Sequence, residues 1–251
     1  MRPRHRLRPS SADKWTKCHG WLAAVASLPP SPSSEAAEEG TEAHSILECA
    51  LRIGCPPSEL TTKFEMGERL DRVYEDILEM AEGRSIYLEH RVQFTSDPQD
   101  TGTIDVAIIG SDSIRVIDLK YGWGRVEADA IQLALYLLGA LRVFGGIQPV
   151  CQKYCRAIDV LGALRTFGEI QDRELWTYIH QPKHRKPLRG KQWSIKELIA
   201  VERLVRDAMH ANLYSPNPKR TPGDHCLYCD ALAHCHEVSE FIMGVSGVDD
   251  F

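Results

Sequence analysis

From residue 86 the apolar pattern leaves the helical period, and three short β-type runs follow in succession. The runs 86–94, 103–109 and 114–119 are short and rich in Val and Ile. Turn-forming stretches, SDPQDTG and GSDS, separate them, as hairpins or a meander require. A strongly apolar helix is expected directly afterwards, over about 126–144, and a further strand over 175–180. Before the strands, helices are expected over 10–26, 34–53 and 59–82, with LPPSPSSE breaking the first from the second. After them come a basic loop (PKHRKPLRGK), a helix over 194–211 and a cysteine-rich tail. The pattern places the chain in the α/β class.

A chain of 251 residues can bury one sizeable core, or one domain with an appended subdomain. No apolar run reaches the roughly 20 residues needed to span a membrane. The basic start, MRPRHRLRPS, has no signal-peptide core after it, and Glu35, Glu38 and Glu39 follow early, so a cytoplasmic protein is expected. The net charge of −5 gives no global attraction to nucleic acid. Any such contact must come from local basic patches or from cations held by carboxylates.

The segment LLGALRVFGGIQ (137–148) recurs as VLGALRTFGEIQ (160–171). This reads as a local tandem duplication, or as convergence of two helix ends. The polar residues before the first copy, Gln132 and Tyr136, have no counterparts before the second, where Cys155 and Asp159 stand. Polar chemistry therefore belongs to the first copy.

That chemistry concentrates in GTIDVAIIGSDSIRVIDLKYG. Asp118 and Lys120 are two residues apart at a strand end, so their side chains leave one face, and the turn at 110–113 can bring Asp105 opposite. Two converging carboxylates repel unless a cation lies between them. Oxygen ligands of this kind suit Mg²⁺ or Mn²⁺. Taken alone, D-x-K at a strand end more often marks a solvated surface hairpin than a metal site.

Strand, turn, strand with D-x-K, then helix resembles the PD-(D/E)xK nuclease core. Asp105 takes the first acidic position and Asp118-Leu119-Lys120 the (D/E)xK element. Gln132 and Tyr136 in QLALY resemble the QxxxY motif of RecB-like nucleases, whose residues sit near the site and contact DNA. Gly40 and His44 in EGTEAHSILE resemble the family's GxxxH element, whose histidine is a metal ligand. The resemblance implies catalysis by Asp105, Asp118 and Lys120, with Mg²⁺ or Mn²⁺ held by His44, Asp105, Asp118 and the Leu119 backbone carbonyl. Glu89, on the preceding strand, could support the site, but strand alternation explains it equally well and it is left out of the ligand set.

CLYCDALAHC places Cys226, Cys229 and Cys235 at C-x₂-C-x₅-C, which in a reducing compartment implies a metal centre rather than disulfides. RecB-like nucleases of the AddB and CRISPR-adaptation types pair such a triplet with one early cysteine around a 4Fe–4S cluster. Here the resemblance assigns Cys18. Structural zinc, with His225, His234 or His236 replacing a cysteine, is the rival. Cys49, Cys55, Cys151 and Cys155 read as buried apolar residues.

For DNA contacts the candidates are Gln132, Tyr136, Lys183, Arg185 and Lys186, with the N-terminal arginines (Arg2, Arg4, Arg6, Arg8) a second set. Tyr121 and Trp123 could stack on unpaired bases or pack against the QLALY helix. The resemblance implies a PD-(D/E)xK core of mixed sheet flanked by helices (34–212), with a helical iron–sulfur cap from both termini (1–33, donating Cys18, and 213–251). It is closest to stand-alone phage or prophage RecB-like proteins. It implies a metal-dependent DNA exonuclease acting on single-stranded or resected ends in phage recombination or repair, in the bacterial host cytoplasm if phage-encoded. The resemblance implies a phage single-strand annealing or recombination protein as partner. A structure-specific endonuclease or a non-cleaving DNA-end-binding accessory protein would carry the same motifs.

Overall fold

The three alternating runs pair in sequence order. Strands β1 (Ser85–Gln93), β2 (Thr101–Ile109) and β3 (Ser113–Leu119) form an antiparallel meander. Gly110 N–H donates to the Ser113 carbonyl at 2.9 Å to close the β2–β3 turn. In the computed structural model, which describes residues 7–26, 28–29, 33–95, 97–145 and 173–239, β4 (Glu174–His180) then lies parallel to β3, and β5 (Leu188–Gln192) lies antiparallel at the edge. The sheet is thus mixed, in the order β1-β2-β3-β4-β5.

Strand β5 departs from the expected basic loop. The second half of PKHRKPLRGK is an edge strand, and its Lys, Arg and Gly content hides it from a pattern based on apolar alternation. Charged residues at a sheet edge discourage pairing with a further strand.

Six α-helices flank the sheet among the described residues: α1 (Ala12–Lys17), α2 (Trp21–Val25), α3 (Glu35–Ile53), α4 (Phe64–Met80), α5 (Ile131–Phe144) and α6 (Ile195–Tyr214). The helix expected over 10–26 is divided into α1 and α2 at Cys18–Gly20, where the Gly20 N–H donates to the Lys219 carbonyl at 2.9 Å. Helix α3 starts on Ser34, whose hydroxyl accepts from Ala37 N–H, and stops at Gly54 in the left-handed conformation. Helix α6 starts on a reciprocal Ser194–Glu197 capping box.

Each sheet face has its own apolar cluster. Ile114 and Val116 pack with α1, α2, α5 and α6, whereas Ile117 and Leu119 pack with α3 and α4. This is the period of two written along β3. In β1 and β2 the alternation slips. Glu89 has φ of 46°, a conformation L side chains rarely adopt, and the Glu89–Asp105 pair is the one missing from an otherwise continuous register. Tyr87 and His90, three apart, both meet the Phe144 ring. Likewise Ile104 joins the α5-side cluster while Val106 joins the α3/α4-side cluster. The interruption falls at the pair of carboxylates.

The second copy of the 137–148/160–171 repeat, with Cys151 and Cys155, lies outside the described residues, as do Arg2, Arg4 and Arg6. Most of the first copy is the end of α5. There a Cβ built on Gly139 would lie 2.6 Å from Val92 Cγ2 and 2.8 Å from its Cβ. Valine is stiff at χ1 and cannot turn away. We therefore expect Gly139→Ala to destabilise the fold by about 1–3 kcal/mol through overpacking. In urea denaturation, Val92→Ala in the same chain should recover part of that loss. Simple additivity of the two changes would show that the close approach is not what Gly139 provides.

Candidate metal centre

The site is assembled from α3, β1, the middle of β2, the end of β3 and the start of α5. Ala43, Leu47 and Ala50 form the buried stripe of α3, so neighbouring His44 stands at its margin, half-buried. Its Nδ1 lies 3.4 Å from Asp105 Oδ2, and its ring has a backbone hydrogen bond to Leu119. Burial lowers the His44 pKa, with Asp118 acting in the opposite sense. The imidazole is therefore neutral near pH 7, the form that binds metal ions.

Asp105 Oδ2 accepts the Leu119 N–H at 2.8 Å, which ties β2 to the end of β3. Its pKa is raised well above the usual carboxylate range, first by burial and then by the Asp118 charge. Asp118 is only 2% exposed. One of its oxygens accepts from Gln132 Nε2 at 3.0 Å. The other forms a buried ion pair with Lys120 Nζ at 2.8 Å. Burial alone would depress the Lys120 ammonium, but Asp118 and Asp105 together raise its pKa. Lys120 is a cation here, a donor rather than a base.

Glu89 is part of this group. Its carboxylate, Asp105 and His44 each present an oxygen or nitrogen within 4.8 Å of the others. Burial and the nearby Glu48 and Asp118 charges raise its pKa. Glu89 is exposed, as alternation along β1 indicates, and its carboxylate still lies in this group. The left-handed backbone that turns Glu89 toward Asp105 carries no signal in the residue type. Three carboxyl groups and a neutral imidazole beside one ammonium make a donor set that oxygen-preferring divalent cations fit.

The other sequence candidates separate into two kinds. Gln132 and Tyr136 face inward: Gln132 bridges Asp118 and the Tyr136 hydroxyl (3.3 Å), and Tyr136 is buried. They orient Asp118. Lys183 is also committed, with Nζ 2.6 Å from Glu39 of α3 and 4.3 Å from the centre of the buried Tyr121 ring. It clamps α3 to the loop after β3 rather than projecting into solvent. Arg185 and Lys186 are exposed. Trp123 on the same loop is 68% exposed, so of the two aromatics only Tyr121 is used for packing.

Sequence reasoning missed the support beneath this loop. Gln181 is fully buried, accepts from Val126 N–H at 3.0 Å and donates to the Gly124 carbonyl at 2.8 Å. His180, also buried, pairs with Asp76 at 2.7 Å, and its carbonyl receives the Lys120 N–H at 2.9 Å. His180 ends β4 and Gln181 follows it in IHQP, where two polar residues entering a core are the only trace of the role.

Cys18, Cys226, Cys229 and Cys235 line one small cavity where the N-terminal segment meets the chain after α6. Burial raises the Cys18 thiol pKa, and Cys226 and Cys229 are among the groups acting on it. No three of these sulfurs lie within 4.8 Å of one another, since the only group that close among the described residues is that of His44. His225 lines the cavity, whereas His234 and His236 are exposed. Contrary to expectation, Cys49 is exposed and Cys55 half-buried. Cys49 lies outside the α3 stripe of Ala43, Leu47 and Ala50. No helix among the described residues is long and apolar enough to cross a membrane.

Residues 5–152 match the family model DUF2800, described as a protein of unknown function, and the chain belongs to that family. The match takes in His44, Glu89, Asp105, Asp118, Lys120, Gln132, Tyr136 and Cys18. It ends before Cys226.

The raised Asp105 pKa gives a signed prediction. The folded state holds this proton more tightly than the unfolded chain. The metal-free protein therefore loses stability as pH rises from the ordinary carboxylate range through the raised value. Asp105→Asn, which keeps an acceptor for Leu119 N–H, should have the higher Tm in EDTA at neutral pH and little dependence across that window. Saturating Mn²⁺ should reverse the order, since a ligand at 100 times its Kd adds about 2.7 kcal/mol to the wild type alone. Thermal scans that place Asp105→Asn below the wild type in EDTA would contradict the electrostatic account.

Proposed function

We propose that this chain is a metal-dependent deoxyribonuclease of the PD-(D/E)xK type, similar to RecB-like nucleases. The observation that carries the reading is that donor atoms of His44, Glu89 and Asp105 lie within 4.8 Å of one another, next to the buried Asp118–Lys120 ion pair whose carboxylate charge acts on all three. His44, Asp105 and Asp118, with the Leu119 carbonyl and with Glu89 added, would hold Mg²⁺ or Mn²⁺. A cation bound there supplies Lewis acidity toward a phosphoryl oxygen and lowers the pKa of a water. Lys120 donates to negative charge that develops on the phosphoryl group. Gln132 fixes the Asp118 rotamer, and Tyr136 fixes Gln132.

The substrate is DNA with an unpaired end, cut exonucleolytically. Exposed Trp123 suits stacking on an unpaired base, and Arg185 and Lys186 suit phosphate contacts. On this reading the four-cysteine cavity holds a 4Fe–4S cluster that staples the termini over the core.

End-labelled linear and circular single-stranded DNA, incubated with Mn²⁺ or Mg²⁺, tests the activity. The linear strand should be degraded and the circle spared, with Asp118→Ala and Lys120→Ala each at least about 10²-fold slower. Cleavage of the circle would instead make the enzyme an endonuclease. Binding without cleavage of either would make it an end-binding protein. Anaerobically purified protein should contain iron and acid-labile sulfide and absorb visible light, and Cys229→Ser should lose both. Colourless protein loaded with zinc would refute the cluster.

A further inference from the structure

The segment before α1 and the β1–β2 hairpin enclose a cleft of about 420 Å³ that borders the candidate site at Tyr136. Leu7 and Pro9 are buried, so Arg8 and Ser10 between and after them face outward. The Arg8 carbonyl accepts from Ser11 N–H (3.1 Å), the Ser11 hydroxyl (3.1 Å) and the indole of fully buried Trp15 (2.9 Å). The guanidinium is thus carried on a fixed backbone. Across the cleft stands Arg91, whose Nε donates to Thr101 Oγ1 at 3.1 Å. This leaves the two terminal nitrogens of the fork for another acceptor. Gly102 lets the walls close: a Cβ there would lie 2.6 Å from Tyr136 and 2.8 Å from Pro9.

The lining contains two guanidinium groups, hydroxyls of Ser10, Thr101 and Thr103, and no carboxylate. Neither arginine forms an ion pair among the described residues. In a chain of net charge −5, such an uncompensated pair is a local anion site. Arginine forks flanked by hydroxyls match the oxygens of a phosphate group. Arg91 pairs in register with Thr103, two residues from the Glu89–Asp105 position, roughly 7 Å along the strands. That is comparable to the step between successive phosphates of a nucleic-acid strand.

We propose that this cleft is a phosphodiester subsite that holds a backbone phosphate next to the one presented at the carboxylates, through Arg8 and Arg91. The assignment rests on the nuclease reading and adds the direction in which the strand leaves the site. The test is fluorescence anisotropy of a labelled single-stranded oligonucleotide across a salt series, using the full chain with Lys120→Ala and Mn²⁺ to prevent turnover. Arg8→Gln/Arg91→Gln should weaken binding at least tenfold and lower the salt slope by about 0.7, one phosphate on a single strand. Arg91→Lys should keep the slope but lose part of the affinity. One uncharged methylphosphonate linkage, at a single position in the oligonucleotide, should reproduce the loss and cause none further in the double variant. Unchanged affinity and slope in the double variant, or losses that simply add, would overturn the subsite while leaving cleavage by the otherwise unmodified chain intact. If that chain neither binds nor cuts DNA, the subsite and the nuclease reading fail together.

Discussion

Asp105 and Asp118 are carboxylates brought together at the end of an apolar sheet, and desolvation and the Asp118 charge raise the cost of ionising Asp105. Much of the surrounding structure acts on that cost. Leu119 N–H, Gln132 and the Lys120 ammonium each offset part of the charge. Glu89 then adds a third carboxylate instead of a compensating base. A fold selected only for stability would place apolar residues here. The arrangement makes sense if a cation completes it.

The supports of the site come from opposite ends of the sequence. Helix α3 brings His44 from one sheet face, and α5 brings Gln132 from the other. Gln181 and Lys183, from the turn after β4, fix the loop that follows Lys120. The sheet gives up its own regularity at Glu89 and Asp105, where the alternation slips and one residue takes a left-handed backbone. Strain of about 1–3 kcal/mol at such a position persists only when its surroundings enforce it.

The meander, the helix after it and the convergence of Asp105 with Asp118 and Lys120 were legible because they follow from periods of two and 3.6 and from short turns. Other features were not. Strand β5 is written in Lys, Arg and Gly and lacks the apolar alternation of a buried strand. Glu89 depends on a backbone angle that no residue type announces. Lys183 looked like a free cation in a basic run, and only the fold shows Glu39 and Tyr121 brought against it from elsewhere in the chain. The cysteines lie between: their spacing marked the tail triplet, and three-dimensional packing sets Cys18 beside it in one cavity.

The most direct test of the central claim is anomalous diffraction from crystals soaked in Mn²⁺. The account predicts one strong peak bounded by His44, Asp105 and Asp118, with Glu89 in its coordination shell directly or through a water, and no such peak in Asp118→Ala. Full Mn²⁺ occupancy elsewhere with this pocket empty, or a peak that survives Asp118→Ala unchanged, would contradict it.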